Sequence, residues 1–78
     1  MNLIPLSSLK PGERCRLHHL EIYGGMRRRL QDLGFLPDTD LSVEFTAPSG
    51  SPMAVWCKHT LIALRRSDCR LIWVMRCA

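Results

Sequence analysis

Turn-forming residues cut this chain of 78 residues into short pieces. Pro11-Gly12, Gly24-Gly25, Gly34, Pro37-Asp38 and the loop from Pro48 through Gly50 to Pro52 punctuate it, with further breaks at Lys58-His59 and Ser67-Asp68. Several short strands with turn signals at close spacing, plus one helix, are what such punctuation allows, and a chain this short has no room for a second domain. The longest apolar runs, such as Leu71 to Met75, are far too short to cross a bilayer. What fits is a set of short strands joined by tight turns.

Within the pieces the apolar pattern is readable. Residues 3 to 12 form an extended lead-in. From Glu13 to Ile22, Cys15 and Leu17 alternate while Leu20 and Ile22 follow in the other phase, which requires a bulge near His18-His19. Met26, Leu30 and Leu33 recur at i, i+4 and i+7, predicting a short helix over about residues 25–33 that covers one end of a barrel, with Gly34 as its left-handed cap. Leu41, Val43, Phe45 and Ala47 then alternate as a half-buried strand. Met53, Val55 and Cys57 lead to a two-residue turn at Lys58-His59, after which Ile62 and Leu64 continue on the same face. The resulting expectation is an all-β small barrel of five to six short strands with one short helix, forming a single domain over residues 1–78.

An apolar content of 46% suits a globular domain, but a chain of this length buries only about 60% of its unfolded surface. Its core is therefore thin. The net charge is +4, and nine of the eleven cations are arginine. That mild excess is compatible with an acidic protein partner, a phosphate-bearing ligand or an anionic membrane surface, but it falls short of the field of a dedicated nucleic-acid binder. With no basic, apolar leader at the start, a cytoplasmic location without membrane insertion is expected, and the four cysteines read as reduced thiols. Strand phase turns Cys15, Cys57 and Cys69 inward.

The chemistry-bearing residues do not assemble into a motif. The cysteines, His18, His19 and His59 show neither Cys-x-x-Cys nor His-x-x-x-His spacing, so no cofactor is expected and the histidines are weak surface candidates for a metal. Glu21, Asp32 and Glu44 fall on polar faces away from any nucleophile, and Gly24-Gly25 lacks the continuation of a phosphate-binding loop, so the chain is not expected to be an enzyme. Arg27 and Arg28, on the outward side of the helix, are candidates for docking an acidic partner, although solvated faces are the commoner fate of such runs.

A second apolar surface is more informative. A two-residue turn at Lys58-His59 sets Trp56 opposite Leu61 and Ala54 opposite Ala63. Pairing Leu64 with Ile72 would then put Trp73 beside Ala63 and Met75 beside Leu61, all six outward. Either the segment Leu3 to Leu6 or the C-terminal tail covers this patch, or it is a protein interface anchored by tryptophan, formed with a second copy of the chain or with another protein.

The stretch Arg28-Arg29-Leu30-Gln31-Asp32-Leu33-Gly34-Phe35-Leu36-Pro37 resembles the FeoA family of bacterial ferrous iron transport proteins, with its Arg-Leu-x-x-Leu-Gly-x-x-Pro signature. The matching positions are Arg29, Leu30, Leu33, Gly34 and Pro37. The resemblance extends to Leu9-Lys10-Pro11-Gly12, Ala47-Pro48, Gly50-x-Pro52, Ile62-Ala63-Leu64-Arg65-Arg66, Ile72 and Val74. Asp38 and His59 stand where the family usually has glycine. The resemblance implies an SH3-like barrel and a non-enzymatic cytosolic accessory of iron homeostasis, acting by protein-protein contacts on a FeoB-type ferrous iron transporter with a GTP-binding domain. Arg29, the family-matching arginine, is expected to be fixed by a local carboxylate. Two other classes compete: a nucleic-acid-binding small barrel, which needs basic residues interleaved with exposed aromatics, and a thiol- or imidazole-based metal carrier.

Overall fold

In the computed structural model, which describes residues 2–77, six strands are formed: β1 (Leu3–Pro5), β2 (Arg14–Leu20), β3 (Asp40–Thr46), β4 (Met53–Cys57), β5 (Thr60–Leu64) and β6 (Ile72–Arg76). Helix α1 spans Gly25–Asp32, and a single helical turn, α2, spans Arg66–Cys69. The strands make one antiparallel sheet in the order β1-β6-β2-β3-β4-β5. Alternation drives it: Cys15, Leu17, Leu41, Val43, Met53, Val55, Cys57, Leu64, Ile72 and Val74 are all buried on the inner face.

The phase change in β2 is resolved as expected. Leu17 pairs with Val74 and His19 with Trp73, so His18 is the extra residue of a bulge and Leu20 returns to the core. The end of α1 is a Schellman cap. Gly34, at φ 107°, donates to the Gln31 carbonyl, and Phe35 donates to that of Leu30 at 2.9 Å. Leu30 and Phe35 are both buried at that junction. A Cβ on Gly34 would only touch Cys57 Sγ, 3.4 Å away, so it is the positive φ and not the space that calls for glycine.

Several expectations are corrected. The lead-in is itself a strand, since Leu3, Ile4 and Pro5 pair with Met75, Val74 and Trp73. Ser67-Asp68 is not a hairpin turn but part of α2, which buries Cys69 and carries the chain away from β5. As a result β6 lies between β1 and β2, and Leu64 does not pair with Ile72. Phe45 is 51% exposed, because β3 shifts register between Val43 and Phe45 and the extra residue, Glu44, turns Phe45 to the outer face. Leu33 is 38% exposed; α1 ends one residue before it, and only Leu30 of the expected stripe is fully buried, with Met26 half-buried against the core. Of the two departures from the glycine pattern, Asp38 adopts φ 71°, whereas at the second turn the positive φ falls on Lys58 (57°) rather than His59.

Candidate protein-docking surface

The pleat writes rows of side chains across the outer face. Arg14 lies opposite Ser42, Ser42 opposite Trp56, and Trp56 opposite Leu61, so one row crosses β2, β3, β4 and β5. A second row runs Leu3, Met75, Arg16, Asp40 across β1, β6, β2 and β3. A third joins Pro5, Trp73 and His19. Trp56 with Leu61 and Ala54 with Ala63 pair as expected. Trp73 and Met75 belong to the other wing of the sheet, separated from Trp56 by β2 and β3, so the anticipated surface is two surfaces.

The first is the β3-β4-β5 patch. Phe45 pairs with Ala54, next to the Trp56-Leu61 pair, and the three large side chains are 51%, 37% and 46% exposed for Phe45, Trp56 and Leu61. The indole N–H of Trp56 donates to the Glu44 carboxylate at 2.9 Å. Phe45 escaped the sequence reading because Ser42-Val43-Glu44-Phe45 alternates without a flaw; only the bulge at Glu44 reverses it.

The second surface surrounds Trp73, whose ring stacks on His19 with centroids 6.3 Å apart and planes 7° apart. The Nδ1 atoms of His18 and His19 are 2.8 Å apart and His19 Nε2 is 3.1 Å from a Glu21 oxygen. An ionised carboxylate only accepts, so His19 donates through Nε2, and a neutral His19 then accepts at Nδ1 from His18. Both Nδ1 atoms are thereby used within the chain. His59 lies apart, exposed in the β4-β5 turn. Among the described residues no three His, Cys, Asp or Glu side chains form a group able to hold a metal ion.

On α1 the roles of the arginines are exchanged. Arg27 is half-buried, and its Nη1 donates to the carbonyls of Leu20 at 2.9 Å and Ile22 at 3.2 Å, tying the helix to the end of β2. It is a structural clamp rather than a free docking group. Arg29, expected to meet a carboxylate, is exposed; the ion pairs among the described residues are Arg16–Asp40, His19–Glu21, Arg65–Asp68 and Arg76–Glu13. Arg28 is exposed beside it. Of the other family-matching positions, Leu30 lies in the core, Gly34 at the cap and Pro37 before the Asp38 turn, while Pro48 and Pro52 are exposed and flank the β3-β4 loop.

The buried thiols are held neutral. Burial pushes Cys15 up to about 12, with further contributions from Cys77, Asp40 and Glu13, and it pushes Cys69 up to about 12 with help from Asp68. Cys57 is also raised by burial, against a smaller opposing effect of Lys58.

Six antiparallel strands around a filled core, with the large exposed aromatic and charged residues on the outer face, define a small β-domain. The chain belongs to the FeoA family: the FeoA domain matches residues 4–76. The solution structure of the FeoA protein from Chlorobium tepidum is 36% identical, with a TM-score of 0.91 over 96% of this chain and 71% of that one. Iron(II) transport protein A from Clostridium thermocellum is 32% identical, with a TM-score of 0.87 over 94% of this chain and 45% of that one. The zinc-complexed FeoA of Stenotrophomonas maltophilia, described as a procaryotic SH3 domain protein, is 25% identical, with a TM-score of 0.81 over 91% and 88% of the two chains. IdeR of T. acidophilum shares the fold at 17% identity, with a TM-score of 0.85 over 99% of this chain and 35% of that one. No curated protein matches. The fold is thus the expected SH3-like one, and the family is associated with ferrous iron transport rather than with catalysis. No helix among the described residues is long and apolar enough to cross a membrane.

Proposed function

We propose that this chain is a cytoplasmic, non-enzymatic accessory of bacterial ferrous iron uptake that binds the cytosolic GTP-binding domain of a FeoB-type transporter and modulates it. The observation that carries the reading is the exposed Phe45-Trp56-Leu61 patch on a member of an iron-transport family. Three large apolar side chains in one cluster are what an interface core uses and what a bare monomer surface avoids. Trp73 and Met75 on the other wing, and Arg28 on α1, provide secondary contacts around it. The Stenotrophomonas relative has been described as a candidate activating factor of ferrous iron transport, which points the same way. A second copy of the chain is the competing occupant of the patch.

The experiment is a pull-down of the transporter's cytosolic domain with and without GTP. Retention that falls on Trp56→Ala supports the proposal; no retention in either nucleotide state removes it.

A further inference from the structure

Between the two apolar surfaces the outer face sinks into a groove of about 400 Å³ across β2, β3 and β4. Its cause is the first row: Ser42 is short and stands between two long neighbours, Arg14 and Trp56. Arg16, Asp40 and Lys58 complete the rim. Arg16 is paired with Asp40 at 3.2 Å, but Arg14 and Lys58 make no ion pair among the described residues. The groove therefore offers two cations without an ion pair among the described residues, together with a partly exposed indole.

We infer that this groove takes an extended acidic segment of a partner protein, seating one apolar side chain on Trp56 and carboxylates on Arg14 and Lys58. The inference rests on the protein-binding reading above for the class of partner, and adds the mode of recognition. Charge complementarity favours a carboxylate-bearing peptide: arginine accepts such a group in a bidentate fork, and the row geometry supplies the spacing. Arg14 and Trp56 stand two strand separations apart, roughly 10 Å, which an extended chain spans in about three residues at ~3.3 Å each. Sequence reading placed the arginines on the helix and the tryptophans on the strands. The structure instead brings Arg14, Arg16 and Lys58 around Trp56, a juxtaposition visible only once β2 is known to lie beside β3.

The test is a titration of the full chain, followed by amide NMR shifts, with an end-blocked octapeptide of glutamate carrying leucine at every third place, and in parallel with an oligothymidine of ten nucleotides. Saturable shifts centred on residues 14–16, 40–42 and 56–58 are expected. Arg14→Glu should weaken the peptide by about tenfold, and Arg70→Glu, at the exposed residue just after α2, by less than about twofold. Unsaturable shifts, shifts centred on α1, equal losses for both variants, or tighter binding of the oligonucleotide each overturn the inference. If Arg14→Glu fails to fold, the shift map of the unaltered chain still decides. Peptide binding without transporter retention would remove the transporter and keep the groove; the reverse would remove the groove alone.

Discussion

Trp56 and Glu44 are joined by a 2.9 Å hydrogen bond from the indole N–H to the carboxylate, at the very bulge that turns Phe45 outward. One irregularity in β3 therefore does two things. It exposes a phenyl ring, and it places an acceptor that fixes the neighbouring indole while 37% of the tryptophan remains accessible. An anchor already held in one orientation loses little further freedom on binding. Trp56→Ala is expected to weaken association with the transporter domain by at least about 2 kcal/mol, the scale of an interface hot spot, with little change in thermal stability. Trp73→Ala should cost less in binding, because that ring lies on β6, outside the Phe45-Trp56-Leu61 cluster. Paired titration calorimetry and thermal melts of the two variants check this; equal losses of binding would contradict it.

Arg27 holds the end of β2 through the Leu20 and Ile22 carbonyls. Truncating a partly buried charged donor that satisfies main-chain acceptors costs about 1–3 kcal/mol. Arg27→Ala is therefore predicted to destabilise by that amount in denaturant melts, whereas the exposed Arg28→Ala should shift stability by less than about 0.5 kcal/mol. A stable Arg27→Ala chain would show that the clamp is unimportant.

Leu30 and Leu33 belong to one sequence stripe but not to one environment. Leu30 is fully buried, and Leu30→Ala should cost about 2–5 kcal/mol; Leu33, 38% exposed, should cost far less on the same change. The difference reads out directly as a gap in melting temperature between the two variants.

The thiols predict an alkaline limit. Cys15 and Cys69 are raised in the folded chain to about 12 from the usual 9.0, so their contribution to stability is fully present below pH 9.0 and is lost as the pH rises toward 12, where the folded form ionises as well. Stability measured by denaturant should fall through that window, and less steeply in Cys69→Ala than in the unaltered chain once their neutral-pH difference is subtracted. At pH 8 a thiol reagent should modify the half-buried Cys77 first and leave Cys15, Cys57 and Cys69 largely unreacted until unfolding. Rapid labelling of four thiols in the native state would contradict the burial.

What could be read in advance were the features fixed by near neighbours in the chain. The bulge at His18 follows from a phase change between Leu17 and Leu20, the end of α1 from Gly34, and the β4-β5 hairpin from two alternating runs around Lys58-His59. The partner of β6 could not be read that way. Arg66-Ser67-Asp68-Cys69 carries the composition of a turn, yet folds as a helical turn that redirects the chain, and pairing across half the sequence depends on which edge is left open. Phe45 was hidden by a perfect alternation, and the clamp made by Arg27 depends on carbonyls at the end of another element. The candidate surface was thus half legible: Trp56 and Leu61 from the hairpin, but Phe45, Arg14, Arg16, Ser42 and Lys58 only from the assembled sheet.

The central claim is that this face binds the transporter. Titration calorimetry of the chain into the isolated cytosolic GTP-binding domain of a FeoB-type transporter, with GTP and without it, tests that most directly. Saturable binding in at least one nucleotide state, lost or much weakened by Trp56→Ala in a chain that still melts cooperatively, is the predicted result. Absence of binding in both states, or binding indifferent to Trp56→Ala, would contradict it.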